Sequence, residues 1–293
     1  MTILFTGASG RIGGVFIREL LDHGHTIRAY DRAPLPSDLR QRTQMVYGEI
    51  TSPLDLLRAA DGCDAIVHLA AIPSPVHGEE NIIHTNVTGT QAVFAAAEGN
   101  GITRVILASS CSVYGFAFAL QPFDPNYFPL DEEHPLQPQD MYGLSKLLNE
   151  ETARAYARRG VHSVCFRMPE VTHLSGPRLR WLHRRLGHAF EWRSNDFWAY
   201  IAVEDAARAF RLAVESDLTG SHQIVIAARD SFGRGDVREA VARHYPALAG
   251  TVQDIGPHAA LYSSSRAQEL LGFRAERSWR DVPELADPDT KFE

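Results

Sequence analysis

A glycine-rich turn between a strand and a helix constrains the fold of this chain more than any other feature. Residues 2–5 form a short apolar run, and Gly7-Ala8-Ser9-Gly10-Arg11-Ile12-Gly13 follows it closely. A stripe of apolar residues at helical spacing runs from residue 15 to residue 21, and residues 26–30 have the composition of a second strand. Strand, glycine turn, helix and strand in this order predict a β-α-β unit with two parallel strands.

The three glycines of this turn suit the binding of a phosphate group. Gly7 permits a tight turn, Gly10 lets backbone N–H groups approach a pyrophosphate at a helix N-terminus, and Gly13 allows close packing of helix on strand. The spacing is Gly-x-x-Gly-x-x-Gly rather than the commoner Gly-x-Gly-x-x-Gly, so a purely structural turn is the alternative. The context of strand and helix favours a dinucleotide.

An acidic residue at the end of the second strand indicates which dinucleotide binds. A carboxylate at Asp31 would accept hydrogen bonds from the ribose hydroxyls and would repel a 2'-phosphate, which favours NAD over NADP. Arg32 follows directly, and its guanidinium could instead pair with a phosphate or lie against the adenine. We therefore expect NAD, with NADP as the alternative.

Strand-like and helix-like segments alternate through the first half of the chain. Further strands are predicted at residues 44–47, 65–69, 104–108 and 161–166, and helices at residues 53–60, 80–99 and 142–159. This alternation predicts an α/β fold, a Rossmann-type doubly wound parallel sheet. After Arg167 the alternation breaks down, apart from a helix at 203–215 and a strand at 222–227, so we expect a small discontinuous C-terminal substrate lobe.

These patterns divide the chain into two parts. Residues 1–166 are predicted to form an NAD-binding Rossmann domain to which residues 200–227 return, and residues 167–199 and 228–293 to form a small substrate-binding lobe. Proline-rich residues 117–139 are predicted to form an irregular loop that could flank a substrate.

A tyrosine and a lysine stand four residues apart at the start of a predicted helix. In Met141-Tyr142-Gly143-Leu144-Ser145-Lys146 the phenol and the ammonium would share one helix face. A fixed cation favours a phenolate and lowers the pKa of a neighbouring tyrosine, which would make Tyr142 a proton acceptor. By itself this spacing also fits an ordinary solvated helix face.

The composition excludes several classes of protein. With 44% hydrophobic and 22% charged residues the chain is typical of a globular protein, and a net charge of −7 argues against a nucleic-acid partner. Cys63, Cys111 and Cys165 are widely spaced and predict neither a disulfide framework nor a metal site. The start of the chain lacks the pattern of a signal peptide, and no apolar run is long enough to cross a membrane, so we expect a cytoplasmic protein.

Further motifs extend over almost the whole chain. They are Thr6 to Gly13, Gly48-Glu49-Ile50, His68-Leu69-Ala70-Ala71, Asn86 with Gly89-Thr90, Ala108-Ser109-Ser110-Cys111-Ser112-Val113-Tyr114-Gly115, Tyr142-x-x-x-Lys146, Tyr200 to Ala207, and Ser265-Arg266-Ala267 to Phe273. With these motifs the chain resembles the extended short-chain dehydrogenases/reductases of the NAD-dependent epimerase/dehydratase type. The resemblance is specific to the superfamily and much less specific to a substrate.

The resemblance implies a catalytic set of three residues. Tyr142 would be the general base or acid, Lys146 would bind the nicotinamide ribose and lower the tyrosine pKa, and Ser110 would hydrogen-bond the reacting oxygen; a strand-end serine that satisfies backbone groups is the alternative for Ser110. The implied cofactor-binding residues are Gly7, Ser9, Gly10, Arg11, Ile12, Gly13, Asp31, Arg32, Glu49, Ile50, Leu69, Ala70, Ala71, Asn86, Ala108, Tyr142, Lys146 and Pro169. No metal is expected.

One position departs from the pattern of relatives that act on nucleotide-sugars. In those relatives the strand with the arginine usually continues to an asparagine, whereas Arg167-Met168-Pro169-Glu170-Val171 has a glutamate in its place. An anionic side chain there would repel a diphosphate. Small C-terminal lobes and a similar Tyr-Gly-Leu-Ser-Lys occur in uronate and related sugar dehydrogenases, and the pattern from residue 195 to residue 207 is similar to theirs.

The predicted substrate lobe contains a basic and aromatic segment. Arg178, Arg180, Arg184, Arg185 and Arg193, with His183 and His188, could anchor a carboxylate or a phosphate, or could form a solvated face or a subunit contact. Trp181, Trp192 and Trp198 could stack on a sugar ring or pack in the core.

We therefore expect an NAD-dependent oxidoreductase that takes hydride from a hydroxyl carbon of a small polar substrate, a sugar or a sugar acid. The alternatives are a nucleotide-sugar epimerase or dehydratase that uses the same site and a non-catalytic NAD(H)-binding regulator. The resemblance also implies a homodimer that forms through the central helices at residues 80–99 and 142–159.

Overall fold

The structure, a computed structural model, describes residues 1–75 and 79–292. The strands are Thr2–Thr6 (β1), Thr26–Asp31 (β2), Gln44–Tyr47 (β3), Ala65–His68 (β4), Arg104–Ala108 (β5), His162–Arg167 (β6), Glu170–Thr172 (β7), Tyr200–Ala202 (β8) and Ser221–Val225 (β9). Within the described residues, seven of them form one parallel sheet in the order β3-β2-β1-β4-β5-β6-β9. The predicted Rossmann-type sheet is confirmed, and its order reverses beside β1, where ligands bind in such sheets.

Helices cover both faces of the sheet. The α-helices are Gly13–Asp22 (α1), Ser37–Arg40 (α2), Pro53–Ala60 (α3), Glu79–Ile83 (α4), Gly89–Gly99 (α5), Met141–Ala157 (α6), Leu179–His188 (α7), Val203–Glu215 (α8), Val237–His244 (α9), Ser265–Leu271 (α10) and Pro283–Ala286 (α11). Short 3₁₀ turns lie at Cys111–Tyr114, Gly176–Arg178, Ala189–Glu191, Pro246–Val252 and Trp279–Asp281.

The apolar run of β1 shows why the sheet needs two covering layers. Ile3 and Phe5 pack into the core beneath α1 and α8, whereas Leu4 packs into the opposite core beneath α3, α5 and α6. Successive side chains of a strand point to opposite faces, so a strand that is covered twice is apolar throughout. Phe16 of α1 meets Phe210 of α8 edge to face at 4.9 Å, which fixes these two helices side by side.

The helix predicted at residues 80–99 is interrupted. A π-helical segment, His84–Thr88, separates α4 from α5. Such segments insert one residue into the helical hydrogen-bond ladder and often occur at functional sites. Here the segment contains Asn86, which is 1% exposed. The helix predicted at residues 142–159 is α6, which begins at Met141 and ends at Ala157.

The chain leaves the main sheet after β6 and returns to it. β7 and β8 form a separate two-stranded parallel sheet, after which α8 packs on the main sheet and β9 pairs with β6. A third core contains Phe128 and Leu130 of the proline-rich loop together with Phe197, Val237 and Tyr245. The loop at residues 117–139 and the segments after β8 therefore pack together and form one side of the cleft above the sheet.

In the part of the chain that the structure describes, none of the helices is both long enough and apolar enough to cross a bilayer.

Candidate active site

A large cleft opens at the carboxyl ends of the central strands. Its volume is about 870 Å³, and it follows β1, β4, β5 and β6 to the segments around β7 and β8. Its lining residues are Gly7, Gly10, Arg11, Ile12, Leu69, Ala71, Pro73, Ser74, Ala108, Ser109, Ser110, Cys111, Ser112, Ala117, Phe118, Tyr142, Lys146, Met168, Pro169, Glu170, Val171, Arg193, Ser194, Asn195, Asp196 and Tyr262. The three predicted catalytic residues are among them.

The glycine turn has no room for side chains at two positions. Gly7 has φ +76°, and a Cβ atom there would lie 2.6 Å from the backbone nitrogen of Ala70. A Cβ atom at Gly13 would lie 2.4 Å from the carbonyl oxygen of Ala8. The turn therefore packs directly against its neighbours and brings Gly10, Arg11 and Ile12 to the cleft at the N-terminus of α1, an arrangement that fits the pyrophosphate of a dinucleotide.

Asp31 is tied to the glycine turn by backbone hydrogen bonds. The N–H of Ser9 donates to its Oδ2 at 2.9 Å, and the N–H of Ala33 donates to its Oδ1 at 3.0 Å. Arg32 is 76% exposed and lies 3.8 Å from the carboxylate of Glu49. The carboxylate of Asp31 is thus held at the end of β2 in the place that selects NAD in this fold, whereas Arg32 is largely solvated.

α6 directs its reactive side chains into the cleft from one face. Lys146 is buried, and its Nζ donates to the carbonyl oxygen of Ala108 at 2.8 Å. The Nζ lies 5.6 Å from the centroid of the Tyr142 ring. Asp140 caps the helix by accepting from the N–H of Gly143 at 2.9 Å. The four-residue spacing of Tyr142 and Lys146 therefore places both groups at the ends of β5 and β6, as the sequence predicts.

Ser110 is within reach of Tyr142. The Ser110 side chain lowers the pKa of the nearby phenol. Ser110 also caps the 3₁₀ turn Cys111–Tyr114, because its Oγ accepts from the N–H of Ser112 at 3.1 Å and donates to the Ser112 Oγ at 3.0 Å. It thus has the local structural role of a strand-end serine and also faces the cleft.

The pKa of Tyr142 is raised in the folded protein. Burial is the largest influence and raises the pKa to about 12, against the smaller effect of Ser110. Burial also lowers the pKa of Lys146, to about 8, while Cys165 and Glu150 oppose that shift. Loss of hydration at Tyr142 is thus the largest influence on its pKa, and the lowering of that pKa by the adjacent ammonium stays a prediction.

The predicted cofactor-binding residues lie in two groups. Gly7, Gly10, Arg11, Ile12, Leu69, Ala71, Ala108, Tyr142, Lys146 and Pro169 line the cleft. Ser9, Gly13, Asp31, Arg32, Glu49, Ile50, Ala70 and Asn86 lie outside its lining. In the second group, Asn86 accepts from the N–H of Ile72 at 2.8 Å and donates to Ser145 Oγ at 3.0 Å. It connects the loop after β4 to α6.

Two buried polar networks beneath the cleft were not predicted. Glu150, on the same face of α6 as Tyr142 and Lys146, accepts from Arg167 at 3.0 and 2.8 Å and from Ser109 Oγ at 2.6 Å. His68 lies between Thr6 Oγ1 at 2.7 Å and Thr90 Oγ1 at 3.0 Å. The four-residue repeat from Tyr142 to Glu150 was a signal for the first network, whereas the second depends on pairing between strands that are distant in sequence.

The basic segment of the small lobe is largely neutralised by acids. Arg178 lies 3.5 Å from Glu170, and Arg185 bonds both Glu170 and Asp196. A second cavity of about 510 Å³ lies beside this cluster, lined by Trp181, Arg184, Arg185, His188, Ala189, Trp192, Arg193, Ser194, Trp198 and Phe232. Trp181 and Trp192 are 41% and 71% exposed there, whereas Trp198 is buried.

Comparison with known proteins identifies the family. The profile of the NAD dependent epimerase/dehydratase family matches residues 3–227, which is most of the chain. The chain belongs to this family. It is an NAD-dependent enzyme of the extended short-chain dehydrogenase/reductase class, and the resemblance seen in its motifs is confirmed.

The proteins to which this chain is similar are named for different reactions. A UDP-glucose 4-epimerase of Corynebacterium glutamicum is 26% identical over 95% of this chain and 92% of its own. A uronate dehydrogenase of Pseudomonas putida is 29% identical over 57% of this chain and 59% of its own. A short-chain dehydrogenase/reductase superfamily protein of Agrobacterium tumefaciens with bound NAD is 25% identical, with a TM-score of 0.71 over 98% of this chain and 96% of that one.

Proposed function

We propose that this protein is an NAD-dependent dehydrogenase that oxidises a hydroxyl-bearing carbon of a sugar or sugar acid. The observation that carries this proposal is the meeting of Ser110, Tyr142 and Lys146 at one wall of the cleft, next to the glycine turn. Removal of hydride from an alcohol carbon requires a proton acceptor for the hydroxyl and a donor that holds its oxygen. This trio supplies both.

Each member of the trio has a distinct role in the proposed reaction. NAD, when bound, supplies the acceptor for the hydride. Ser110 hydrogen-bonds the reacting oxygen, and the Oη of Tyr142 removes the hydroxyl proton. Lys146, whose pKa of about 8 leaves it mainly protonated at neutral pH, favours the phenolate by its charge and would bind the nicotinamide ribose through its N–H donors.

Cofactor binding extends the proposed site beyond the cleft lining. Gly10, Arg11 and Ile12 would bind the pyrophosphate through the N-terminus of α1, and Asp31 would accept hydrogen bonds from the adenosine ribose. Arg32, Glu49 and the other predicted residues outside the lining would border the adenosine or support those that touch it. We also propose that residues 167–199 and 228–293 act as the substrate lobe.

Nucleotide-sugar epimerisation or dehydration is the second candidate. The similarity to a UDP-glucose 4-epimerase over 95% of the chain favours it. Against it, Glu170 lines the cleft with a carboxylate that already occupies Arg178 and Arg185, so a diphosphate there would have to compete with it for these cations. In an epimerase the hydride returns to the substrate within one turnover, so no NADH accumulates.

A substrate screen separates the two candidates. Purified protein with NAD is incubated with free sugars, sugar acids and UDP-sugars, and NADH is followed by its absorbance while sugar products are resolved by chromatography. Accumulation of NADH with a free sugar or uronate supports the dehydrogenase. Turnover of UDP-sugars alone, without net NADH, would contradict it and support the epimerase or dehydratase.

We further propose that the protein is a cytoplasmic homodimer. Three cysteines, Cys63, Cys111 and Cys165, are free and buried, as in a reducing compartment. Leu148 on the outward face of α6 is 38% exposed and suits a contact between two copies. Sedimentation of the purified protein tests the assembly, and fractionation of the source cells tests the compartment.

A further inference from the structure

Two carboxylates stand in the part of the cleft that belongs to the small lobe. Glu170 of β7 and Asp196 of the segment before β8 line the same cavity as Ser110 and Tyr142. Their side chains are 25% and 32% exposed. An ionised carboxylate only accepts hydrogen bonds, and its two oxygens have about four acceptor positions. Asp196 already accepts from Arg185, Ser194 Oγ and the N–H of Trp198, whereas Glu170 accepts from Arg185, so acceptor positions remain on both and more of them on Glu170.

Both carboxylates are held in place by guanidinium groups of the protein. Arg185 donates through Nη1 to Glu170 and through Nη2 to Asp196, and Arg178 approaches Glu170 at 3.5 Å. Two arginines thus balance two carboxylates. Because both terminal nitrogens of Arg185 already bond carboxylates of the protein, a carboxylate of a ligand would have to displace one of them.

The backbone that presents Asp196 is strained and firmly anchored. Phe197 and Trp198 have φ of 55° and 53°, in the left-handed region that residues with side chains rarely adopt. The indole of Trp198 donates to the carbonyl oxygen of Ala189 at 2.6 Å, and its backbone N–H donates to Asp196 Oδ1 at 3.1 Å.

Phe197 adds a second anchor to the same turn. It is 1% exposed, and its ring meets those of Phe116 and Phe128 at 5.0 Å each. The aromatic core thus holds Phe197 on one side while hydrogen bonds hold Trp198 on the other. Strain that is held in this way at a cleft preorganises the side chain it presents, here Asp196.

The other cationic side chains that line the cleft also have partners within the protein. Arg193 pairs with Asp124 at 2.7 Å and lies 4.5 Å from the ring of Tyr245. Arg11 Nη2 donates to the carbonyl oxygen of Val171 at 3.5 Å, and Lys146 donates to Ala108. Among the charged side chains that line the described cleft, Glu170 and Asp196 are the ones that arginines of the small lobe fix in place.

From this arrangement we infer that Glu170 and Asp196 accept hydrogen bonds from ring hydroxyls of the substrate, and that the substrate is a neutral sugar rather than a sugar acid. The inference rests on the proposed dehydrogenase function and narrows its substrate class. Sugar hydroxyls donate to acceptors that are already oriented, which favours binding. A uronate would bring a further carboxylate to a cluster in which both arginines are already paired, so it would have to displace Glu170 or Asp196 from Arg185.

A matched pair of substrates tests this inference on the whole enzyme with NAD. A hexose and the hexuronate that differs from it at one carbon, such as galactose and galacturonate, are compared by kcat/KM from NADH formation. We expect the neutral sugar to be preferred by about tenfold or more. Equal rates, or preference for the hexuronate, would overturn the inference while leaving the proposed dehydrogenase intact.

Substitution of Glu170 tests whether this residue determines the preference for the neutral sugar. Glu170→Gln keeps the shape and one acceptor oxygen, removes the charge and releases donors of Arg178 and Arg185. We expect kcat/KM to fall for the hexose and to rise for the hexuronate, so that their ratio changes by about tenfold. Glu191→Gln, which removes an exposed acid that lines neither cavity, should leave the ratio unchanged.

The outcomes separate the inference from the function on which it rests. An unchanged ratio in folded Glu170→Gln, with its folding checked by thermal denaturation and NADH binding, overturns the inference. If Glu170→Gln does not fold, the substrate preference of the unaltered enzyme still decides. If neither sugar yields NADH and UDP-sugars are converted without net NADH, the proposed function fails and the inference fails with it.

Discussion

Tyr142 is a buried phenol, and its surroundings decide how readily it accepts a proton. Burial raises its pKa to about 12, and the nearby Ser110 side chain acts in the opposite direction. Lys146 adds a positive charge on the same helix face, with Nζ 5.6 Å from the ring centroid. We therefore expect ionisation of Tyr142 to depend on the positive charge around it, which would link proton removal to an assembled site.

Replacement of the phenol tests this role. We expect Tyr142→Phe to lower kcat by about 10²- to 10⁴-fold, because the proton acceptor is lost, with little change in affinity for NAD. Steady-state kinetics and a fluorescence titration of cofactor measure the two effects. Tyr156→Phe is the matched control, since Tyr156 lies on α6 and packs against Phe94 away from the cleft. Unchanged turnover in Tyr142→Phe would remove Tyr142 from the mechanism.

His68 makes the stability of the protein sensitive to acid. Its burial lowers the pKa from 6.5 to about 3, so the unfolded chain binds a proton that the folded chain excludes between these values. Stability contributed by neutral His68 is complete above pH 6.5 and decreases as the pH falls toward the folded pKa. By linkage the loss between pH 6.5 and 4.5 is about 2–3 kcal/mol.

Denaturant unfolding at a series of pH values measures this dependence. We expect His68→Gln to show a flatter dependence on pH between 6.5 and 4.5 than the unaltered protein, although the substitution also alters the bonds to Thr6 and Thr90 and lowers stability at pH 7. His23→Gln, at an exposed histidine, should retain the original slope. Identical slopes for the unaltered protein and His68→Gln would show that His68 does not titrate as proposed.

At the scale of elements, an ion pair between α6 and β6 supports the face of α6 that carries Tyr142 and Lys146. Glu150 and Arg167 are 0% and 1% exposed and form a two-pronged ion pair directly behind Lys146 and Ser109. Removal of one partner leaves an uncompensated buried charge, so we expect Glu150→Leu to destabilise the protein by about 3–5 kcal/mol.

A double-mutant cycle distinguishes pairing from simple packing. Glu150→Leu with Arg167→Met should cost much less than the sum of the single changes, because neither charge is then left alone. Glu151→Gln is the control: Glu151 pairs with Arg154 on the same helix but is 58% exposed, and its loss should cost less than about 1 kcal/mol. Additive free energies for the buried pair would contradict the proposed coupling.

The elements also show what the sequence can and cannot predict. The strands and helices of the sheet follow from local periodicity, and the shared face of Tyr142 and Lys146 follows from helix geometry alone. The π-helical segment around Asn86 was not predicted, because a shift in hydrogen-bond register leaves the apolar pattern of a helix intact. The β7–β8 pair was missed because each strand has three residues and the two are far apart in sequence.

The position of the Asp196 side chain could be predicted even less from the neighbouring sequence. Its presentation requires left-handed conformations at Phe197 and Trp198, and the sequence there contains none of the glycines that usually mark such a backbone. Packing of Phe197 in a core shared with Phe116 and Phe128 imposes it. Similarly, burial is the largest influence on the pKa of Tyr142, and the spacing of Tyr142 and Lys146 in the sequence gives no information about that burial.

For the whole molecule, the discontinuous path of the chain builds the cleft. The chain leaves the sheet after β6, returns to it in α8 and β9, and then leaves again. More than one chain connection therefore joins the two sides of the cleft. The aromatic core that contains Phe128 and Phe197 joins the proline-rich loop to the later segments. The cleft is therefore enclosed by packed structure on both sides, which suits a site that must exclude water from hydride transfer.

Assembly is the remaining property of the whole molecule that can be tested directly. If two copies meet through α5 and α6, a charge at Leu148 would be buried against an apolar partner without compensation. We expect Leu148→Glu to raise the dimer dissociation constant by roughly 30-fold or more, which corresponds to a loss of about 2 kcal/mol of binding free energy, as at an important interface residue. Sedimentation equilibrium over a range of concentrations measures it. Leu120→Glu, at a leucine that is 78% exposed in the proline-rich loop, should sediment like the unaltered protein. A dimer unaffected by Leu148→Glu would place the contact elsewhere, and a monomer at all concentrations would refute the proposed assembly.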